Sequence, residues 1–150
     1  MHFKWDDGSS DADPGAGEIA FNHGTVGSVS ILYIDDADQK SVTVSSFIQS
    51  WDDSTDSTNK GFVKITKRGT PSTYAIFRVS GSVTDASGYT KVPVTHIVSN
   101  GTYTAGDDLD IHFTKTGDKG SDASDVFKTI SVSGQDDVVA DSVTDSLTFA

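Results

Sequence analysis

Hydrophobic residues in this chain recur mostly at every second position, in short runs that are separated by Gly, Asn, Asp and Ser. Leu109, Ile111 and Phe113, for example, alternate with polar residues, which is the pattern of a strand buried on one face. Six such runs predict β-strands, at 19–22, 29–34, 62–67, 74–79, 89–98 and 109–114. Because short polar loops join the later runs, we expect an all-β fold, an antiparallel β-sandwich with meander or jelly-roll-like connections.

The spacing changes between Ser41 and Trp51. Val44, Phe47, Ile48 and Trp51 stand three or four residues apart, which predicts one or two helical turns against the sheet with Trp51 in the core. Pro93 interrupts a predicted strand and has no amide hydrogen to donate. We therefore expect Pro93 at a sheet edge or at a bulge.

The pattern divides the chain into four parts. We predict an N-terminal arm at 1–17, the β-sandwich domain at 18–116, a Gly-containing linker at 117–126 and the start of a trimeric β shaft at 127–150. The arm is predicted because its residues are nearly all polar. In the last part Val143, Leu147 and Phe149 share a face but have no evident partner strands, and a lone hairpin is marginal in water. We expect other copies of the chain to supply those partners.

Composition and charge narrow the class of protein. The 150 residues include 21 Asp, 17 Thr and 15 Val but a single Glu and 3 Leu, which excludes a mostly helical fold. A net charge of −11 offers no positive footprint for nucleic acid, and without an apolar run of membrane-spanning length we expect no membrane insertion. The absence of Cys excludes disulfides and thiolate metal sites.

Acidic pairs are the first candidates for chemistry. They occur at Asp6/Asp7, Asp35/Asp36, Asp52/Asp53, Asp107/Asp108 and Asp136/Asp137. All lie in turn-like sequence, so we interpret them as turn formers and not as a catalytic carboxylate pair. A calcium loop is the alternative, either at Asp7, Asp11 and Asp13 or at Asp52, Asp53 and Asp56, although neither set follows the twelve-residue calcium pattern.

Histidines and aromatic residues give no stronger signal. The four histidines, His2, His23, His96 and His112, lack a metal-binding spacing, and His112 is expected to face solvent. Four aromatic residues could form a sugar-stacking platform, and Tyr103 is the one expected to be exposed; they are Trp5, Trp51, Tyr89 and Tyr103. We predict no enzyme activity, no catalytic, cofactor-binding or metal residues, and no cofactor.

Several motifs carry a resemblance to a known family. They include Ala12-Asp13-Pro14-Gly15, Glu18-Ile19-Ala20-Phe21-Asn22, Ile31-Leu32-Tyr33-Ile34-Asp35-Asp36, Ser50-Trp51-Asp52-Asp53-Ser54, Tyr74-Ala75-Ile76-Phe77, the run from Val94 to Thr102, and Phe113-Thr114-Lys115-Thr116-Gly117-Asp118-Lys119-Gly120. From about Phe3 to Gly120 the chain resembles a module of tail-fibre and collagen-like virion proteins of tailed bacteriophages. The stretch from Ile130 to Leu147 is similar to a segment that recurs in phage fibre shafts and adhesins.

The resemblance implies a homotrimeric, non-enzymatic structural protein on the exterior of the virion. Its expected partners are other virion proteins of the tail or the capsid, and a host-surface glycan or protein. In many relatives the last motif opens a long Gly-x-y run, whereas here the run stops after two triplets, which disfavours a collagen triple helix. Two alternatives stay open: a capsid cement or decoration (head fibre) protein, and a carbohydrate-binding module.

Overall fold

A computed structural model describes residues 1–120, 129–130, 134 and 138–139 of the chain. The chain divides into two compact units, Met1–Lys119 and Gly120–Ala150. Among the described residues no helix is both long and apolar enough to cross a membrane.

The first unit is built almost entirely from strands. Its elements in chain order are β1 (His2–Trp5), β2 (Glu18–Phe21), β3 (Ile31–Asp35), α1 (Ser45–Gln49), β4 (Gly61–Lys67), β5 (Tyr74–Val79), β6 (Thr84–Ala86), β7 (Tyr89–Asn100) and β8 (Asp108–Lys115), with 3₁₀ turns at Val26–Ser28 and Ser50–Asp52. All six predicted strands form, and the all-β class is confirmed. β1 and β6 are additional, and the predicted helical turns are α1 and the 3₁₀ turn after it.

The strands close into a seven-stranded β-barrel, so the predicted sandwich is wrong. Hydrogen-bonded neighbours follow the order β3-β2-β1-β8-β4-β5-β7, and β7 pairs with β3 again to complete the ring. Closure depends on the length of β7. Its first residues, Tyr89 to Pro93, pair with β3, while the following residues up to Asn100 pair with β5. Alternating hydrophobicity is the same in a sandwich and in a barrel, so the pattern alone could not separate them.

Residues 1–17, expected as an arm, supply a strand of this barrel. β1 runs parallel to β2 and antiparallel to β8, and Phe3 and Trp5 point into the core. The parallel pairing needs the long connection between β1 and β2. That connection is fastened by Asp11, whose carboxylate accepts hydrogen bonds of 2.7 Å from the Tyr89 hydroxyl and from the Lys91 ammonium group.

Two further details concern β7 and β8. The predicted meander breaks at β8, which pairs with β1 and β4 instead of following β7. Pro93 lies where β7 passes from β6 to β5, and its carbonyl accepts a hydrogen bond of 3.0 Å from the Ser80 amide. In an antiparallel strand the N–H and C=O groups of one residue point toward the same neighbouring strand. The amide hydrogen that proline lacks would therefore point into the gap between β5 and β6.

The core fills the barrel and extends under α1. Trp51 is fully buried, as predicted, and its ring stacks on Phe113 at 4.8 Å between centroids. Gly61 allows this packing, because a Cβ atom there would lie 2.4 Å from the Phe113 ring. α1 therefore covers the end of the barrel where β4 begins and β8 ends. Trp5, Phe21 and Tyr103 form an aromatic cluster at the other end.

The second unit contains a short antiparallel pair, β9 (Thr129–Ile130) with β10 (Val138–Val139). The predicted face of Val143, Leu147 and Phe149 lies outside the described residues, as does the Asp136/Asp137 pair. The trimeric shaft therefore stays a prediction.

Candidate functional site

Five of the described aspartates organise turns in the backbone. Their carboxylates accept hydrogen bonds from amides two to four residues further along: Asp6 from Gly8, Asp13 from Gly15, Asp35 from Ala37, Asp38 from Lys40 and Val42, and Asp56 from Thr58 and Asn59. These bonds favour the ionised form, and they hold the pKa of Asp38 and of Asp56 below the usual value. Their geometry is that of Asx turns.

The proposed calcium loops are not assembled as ligand clusters. Asp11 is engaged by Tyr89 and Lys91, and Asp56 turns its carboxylate onto its own loop. Within the part of the chain that the structure describes, no three His, Asp or Glu side chains are grouped so that they could hold a metal ion.

The aromatic end of the barrel holds a cleft of about 300 Å³. Trp5, Phe21 and Tyr103 line it on one side, and polar groups of Asp7, Ser9, His23 and Thr102 surround it. The prediction that Tyr103 is exposed is wrong. Its hydroxyl donates a hydrogen bond of 3.1 Å to the Ile65 carbonyl, and burial raises its pKa far above the usual value. The loop 101–107 folds back over the barrel, which its short Gly- and Thr-rich sequence does not reveal.

The cleft offers little ring surface for stacking a sugar. Trp5 lies 4.3 Å from Phe21 and 5.3 Å from Tyr103 between ring centroids, and only 8% of it is exposed. The rings therefore stabilise one another. What the cleft can offer a small polar ligand is a hydrogen-bonding rim above an apolar wall.

A different surface lies on the outside of β4, β5, β7 and β8. We call it the basic face; it consists of Phe62, Lys64, Ile76, Arg78, Val98 and His112. Lys64 stands between Ile76 and His112 in the strand register, and Phe62 stands beside Arg78. On the other side of Ile76, its register partner on β7 is Val98. Cationic and apolar side chains thus alternate across neighbouring strands.

The apolar residues of the basic face are unusually open to solvent. Phe62 is 39% exposed and Val98 is 41% exposed, and Ile97, the extra residue of a β-bulge beside them, is 48% exposed. Three of the five large hydrophobic residues that are exposed in the described part of the chain therefore lie together here. Clustered exposure of this kind marks interaction surfaces.

The cations of the basic face have no acidic partner among the described residues. The ion pairs of this region lie at its border, where Lys67 pairs with Asp107 and Arg68 pairs with Asp110. Lys64 and Arg78 are in no such pair, and the Arg78 Nε atom is buried without a hydrogen-bond partner. A protein of net charge −11 therefore presents a local cationic surface with unused donors.

Sequence reasoning did not single out this surface, because the run from Lys64 to Arg68 fits a solvated strand face. A signal was present nonetheless. From Ser57 to Thr84 the chain has no Asp or Glu, although it carries five of the eleven basic residues. This is the longest stretch of the chain without an acidic residue, and that absence over two neighbouring strands is the feature that identifies the face.

The opposite charge gathers at the C-terminal end of β3. We call the group of Asp13, Asp35, Asp36 and Asp85 the acidic edge. The pKa of Asp36 is raised, first by burial and then by the charges of the other three carboxylates. Asp13 and Asp85 are exposed and carry their charge at the surface.

No protein-family model, curated protein or solved structure matches this chain.

Proposed function

We propose that the chain is a non-enzymatic structural protein of a tailed-bacteriophage virion. In this proposal it is a homotrimeric tail fibre or adhesin protein on the particle exterior, which attaches to the particle and supports host recognition. The barrel is the attachment and recognition module, and the second unit begins the shaft.

The observation that carries the proposal is the division of the chain at Lys119 and Gly120. It coincides with the motif Thr116-Gly117-Asp118-Lys119-Gly120, at which the resemblance to fibre modules passes from a globular part to a shaft. The roles of several carboxylates agree with a structural protein, since Asp35 and Asp56 hold turns and Asp107 pairs with Lys67. The exposed apolar residues of the basic face add a surface suited to protein contacts.

Capsid decoration is the alternative within the same class, and it would use the same barrel at the head shell. Gold-labelled antibody against the full chain, viewed on intact particles by electron microscopy, separates the two positions. We expect label at the tail. Label on the head shell would favour decoration, and particles without label would contradict the proposal.

Carbohydrate binding is a second candidate, because the polar residues around the cleft beside Trp5 and Tyr103 can hydrogen-bond a small sugar even though the rings offer little stacking surface. The full chain on a glycan array tests it, with His23→Ala as the variant that changes the rim and Lys40→Ala as a control away from it. Glycan binding that His23→Ala abolishes and Lys40→Ala preserves would assign the cleft to recognition. No binding by the full chain would leave the cleft without that role.

A further inference from the structure

We propose that the basic face docks onto the acidic edge of a second copy of this chain. The inference rests on the proposed function, because it states how neighbouring barrels of the trimer touch. Its physical basis is separate from the shaft, since both surfaces lie within Met1–Lys119.

Symmetry determines what such a contact requires. In a ring of three identical chains every contact joins two different surfaces, so each chain needs two patches that complement one another. The basic face and the acidic edge are such a pair. They lie on different parts of the first unit, with Lys64 and Arg78 on β4 and β5, Asp85 on β6 and Asp13 in the connection between β1 and β2.

Charge identifies the occupant of the basic face. β4, β5 and β7 contain no Asp or Glu, and the β8 carboxylate nearest the face, that of Asp110, is paired with Arg68 at 3.0 Å. Carboxylates crowd together at the acidic edge: Asp36 accepts a hydrogen bond of 3.1 Å from the Thr90 hydroxyl, and Asp85 stands opposite Thr90 in the β6–β7 register. A cation of a neighbouring chain placed against this edge would relieve the repulsion, while the carboxylates would supply the acceptors that Lys64 and Arg78 lack.

The apolar residues supply the non-ionic part of the contact. Phe62, Ile97 and Val98 would lose water on docking, as residues at the centre of protein interfaces do. The contact is expected to be weak by itself. The shaft would hold the three chains together and raise the effective concentration of the two surfaces.

Charge exchange in the full chain tests the contact. One variant carries Lys64→Glu and Arg78→Glu, a second carries Asp13→Lys and Asp85→Lys, and a third carries all four changes, which keeps the net charge of −11. Lys4→Glu with Lys40→Glu is the control, because it repeats the charge change of the first variant on exposed lysines outside both surfaces. Circular dichroism verifies that each variant is folded, and sedimentation velocity gives the trimer dissociation constant.

We expect each of the first two variants to weaken the trimer by about tenfold or more. The fourfold variant should return to within about threefold of the wild type, and the control should match the wild type. Val98→Ser, which removes apolar surface at an exposed position without changing charge, should also weaken the trimer.

Three results would overturn the inference. The first is a trimer that neither reversal affects, which would leave the proposed function standing. The second is a fourfold variant no better than the single reversals. The third is a Lys64→Glu, Arg78→Glu variant that keeps its trimer but no longer joins the particle, because the basic face would then bind another virion protein. A wild-type chain that is monomeric at every concentration would contradict the trimer of the proposed function, and with it this contact.

Discussion

At the scale of the residue, the chain uses aspartate because of its length. The carboxylate of Asp56 accepts hydrogen bonds from the amides of Thr58 at 2.8 Å and Asn59 at 3.0 Å. A side chain with one more methylene group places its carboxylate too far from its own backbone to close such a turn. Five described aspartates close turns in this way, so turn formation accounts for part of the excess of 21 Asp over one Glu, which at first only excluded helices.

Substitution at Asp56 tests this explanation. Asp56→Ala removes the acceptor, and Asp56→Glu keeps the charge but changes the length. We expect both variants to lower the melting temperature by about 2–4 °C at pH 7, because both lose the turn hydrogen bonds. Thermal unfolding followed by circular dichroism measures the change. If Asp56→Glu melts like the wild type, the charge and not the length of the side chain matters.

Acid should destabilise the protein. Hydrogen bonds and ion pairs hold the pKa values of five carboxyls below the ordinary 3.8: Asp11, Asp38, Asp56, Asp107 and Asp110. A lowered pKa in the folded state gives stability that is present above the unfolded value and is lost as the pH falls through the folded value. Asp36 acts in the opposite sense, because burial raises its pKa.

The expected result is a melting temperature that is nearly level from pH 7 to pH 5 and falls between about pH 4 and pH 2. Calorimetry in buffers of equal ionic strength measures it. A melting temperature that stayed level down to pH 2 would show that these carboxylates contribute nothing to folding.

At the scale of the element, the alternation of hydrophobic and polar residues predicted where the strands lie but not which strands pair with one another. All six predicted strands form, because a side-chain period of two is a local property of the chain. β1 was missed since only Phe3 and Trp5 of its four residues are buried, too few to stand out beside the polar segment that follows. Barrel closure depends on β7 having partners on both edges at different heights, and no local pattern encodes that arrangement.

Gly61 is the most constrained position at the start of β4. A Cβ atom there would lie 2.4 Å from the Phe113 ring and 2.7 Å from the Thr114 carbonyl oxygen. We expect Gly61→Ala to lower the free energy of unfolding by about 1–3 kcal/mol, since the Phe113 ring must shift off Trp51. Urea denaturation measures it.

Gly27→Ala is the matched control, because a Cβ atom at Gly27 meets nothing within 4 Å. Equal stability losses in the two variants would mean that the packing around Phe113 is not what requires glycine at 61.

At the scale of the whole molecule, charge is distributed more unevenly than a net value of −11 suggests. Among the described residues, Lys64 on β4 and Arg78 on β5 are in no ion pair, whereas carboxylates crowd at the end of β3. The sequence contained this asymmetry as a stretch without acidic residues from Ser57 to Thr84. The position of Ile97 and Val98 next to Ile76, on the same face as Lys64, could not be predicted, because it depends on the β5–β7 register and its bulge.

The solution mass of the full chain tests the central claim, a self-assembling structural protein, most directly. Light scattering coupled to size-exclusion chromatography should give about three times the 15.8 kDa of one chain. A chain ending at Gly120, shown by circular dichroism to be folded, should lose the trimer because it lacks the shaft residues. A full chain that elutes as a folded 15.8 kDa monomer at every concentration would contradict the account.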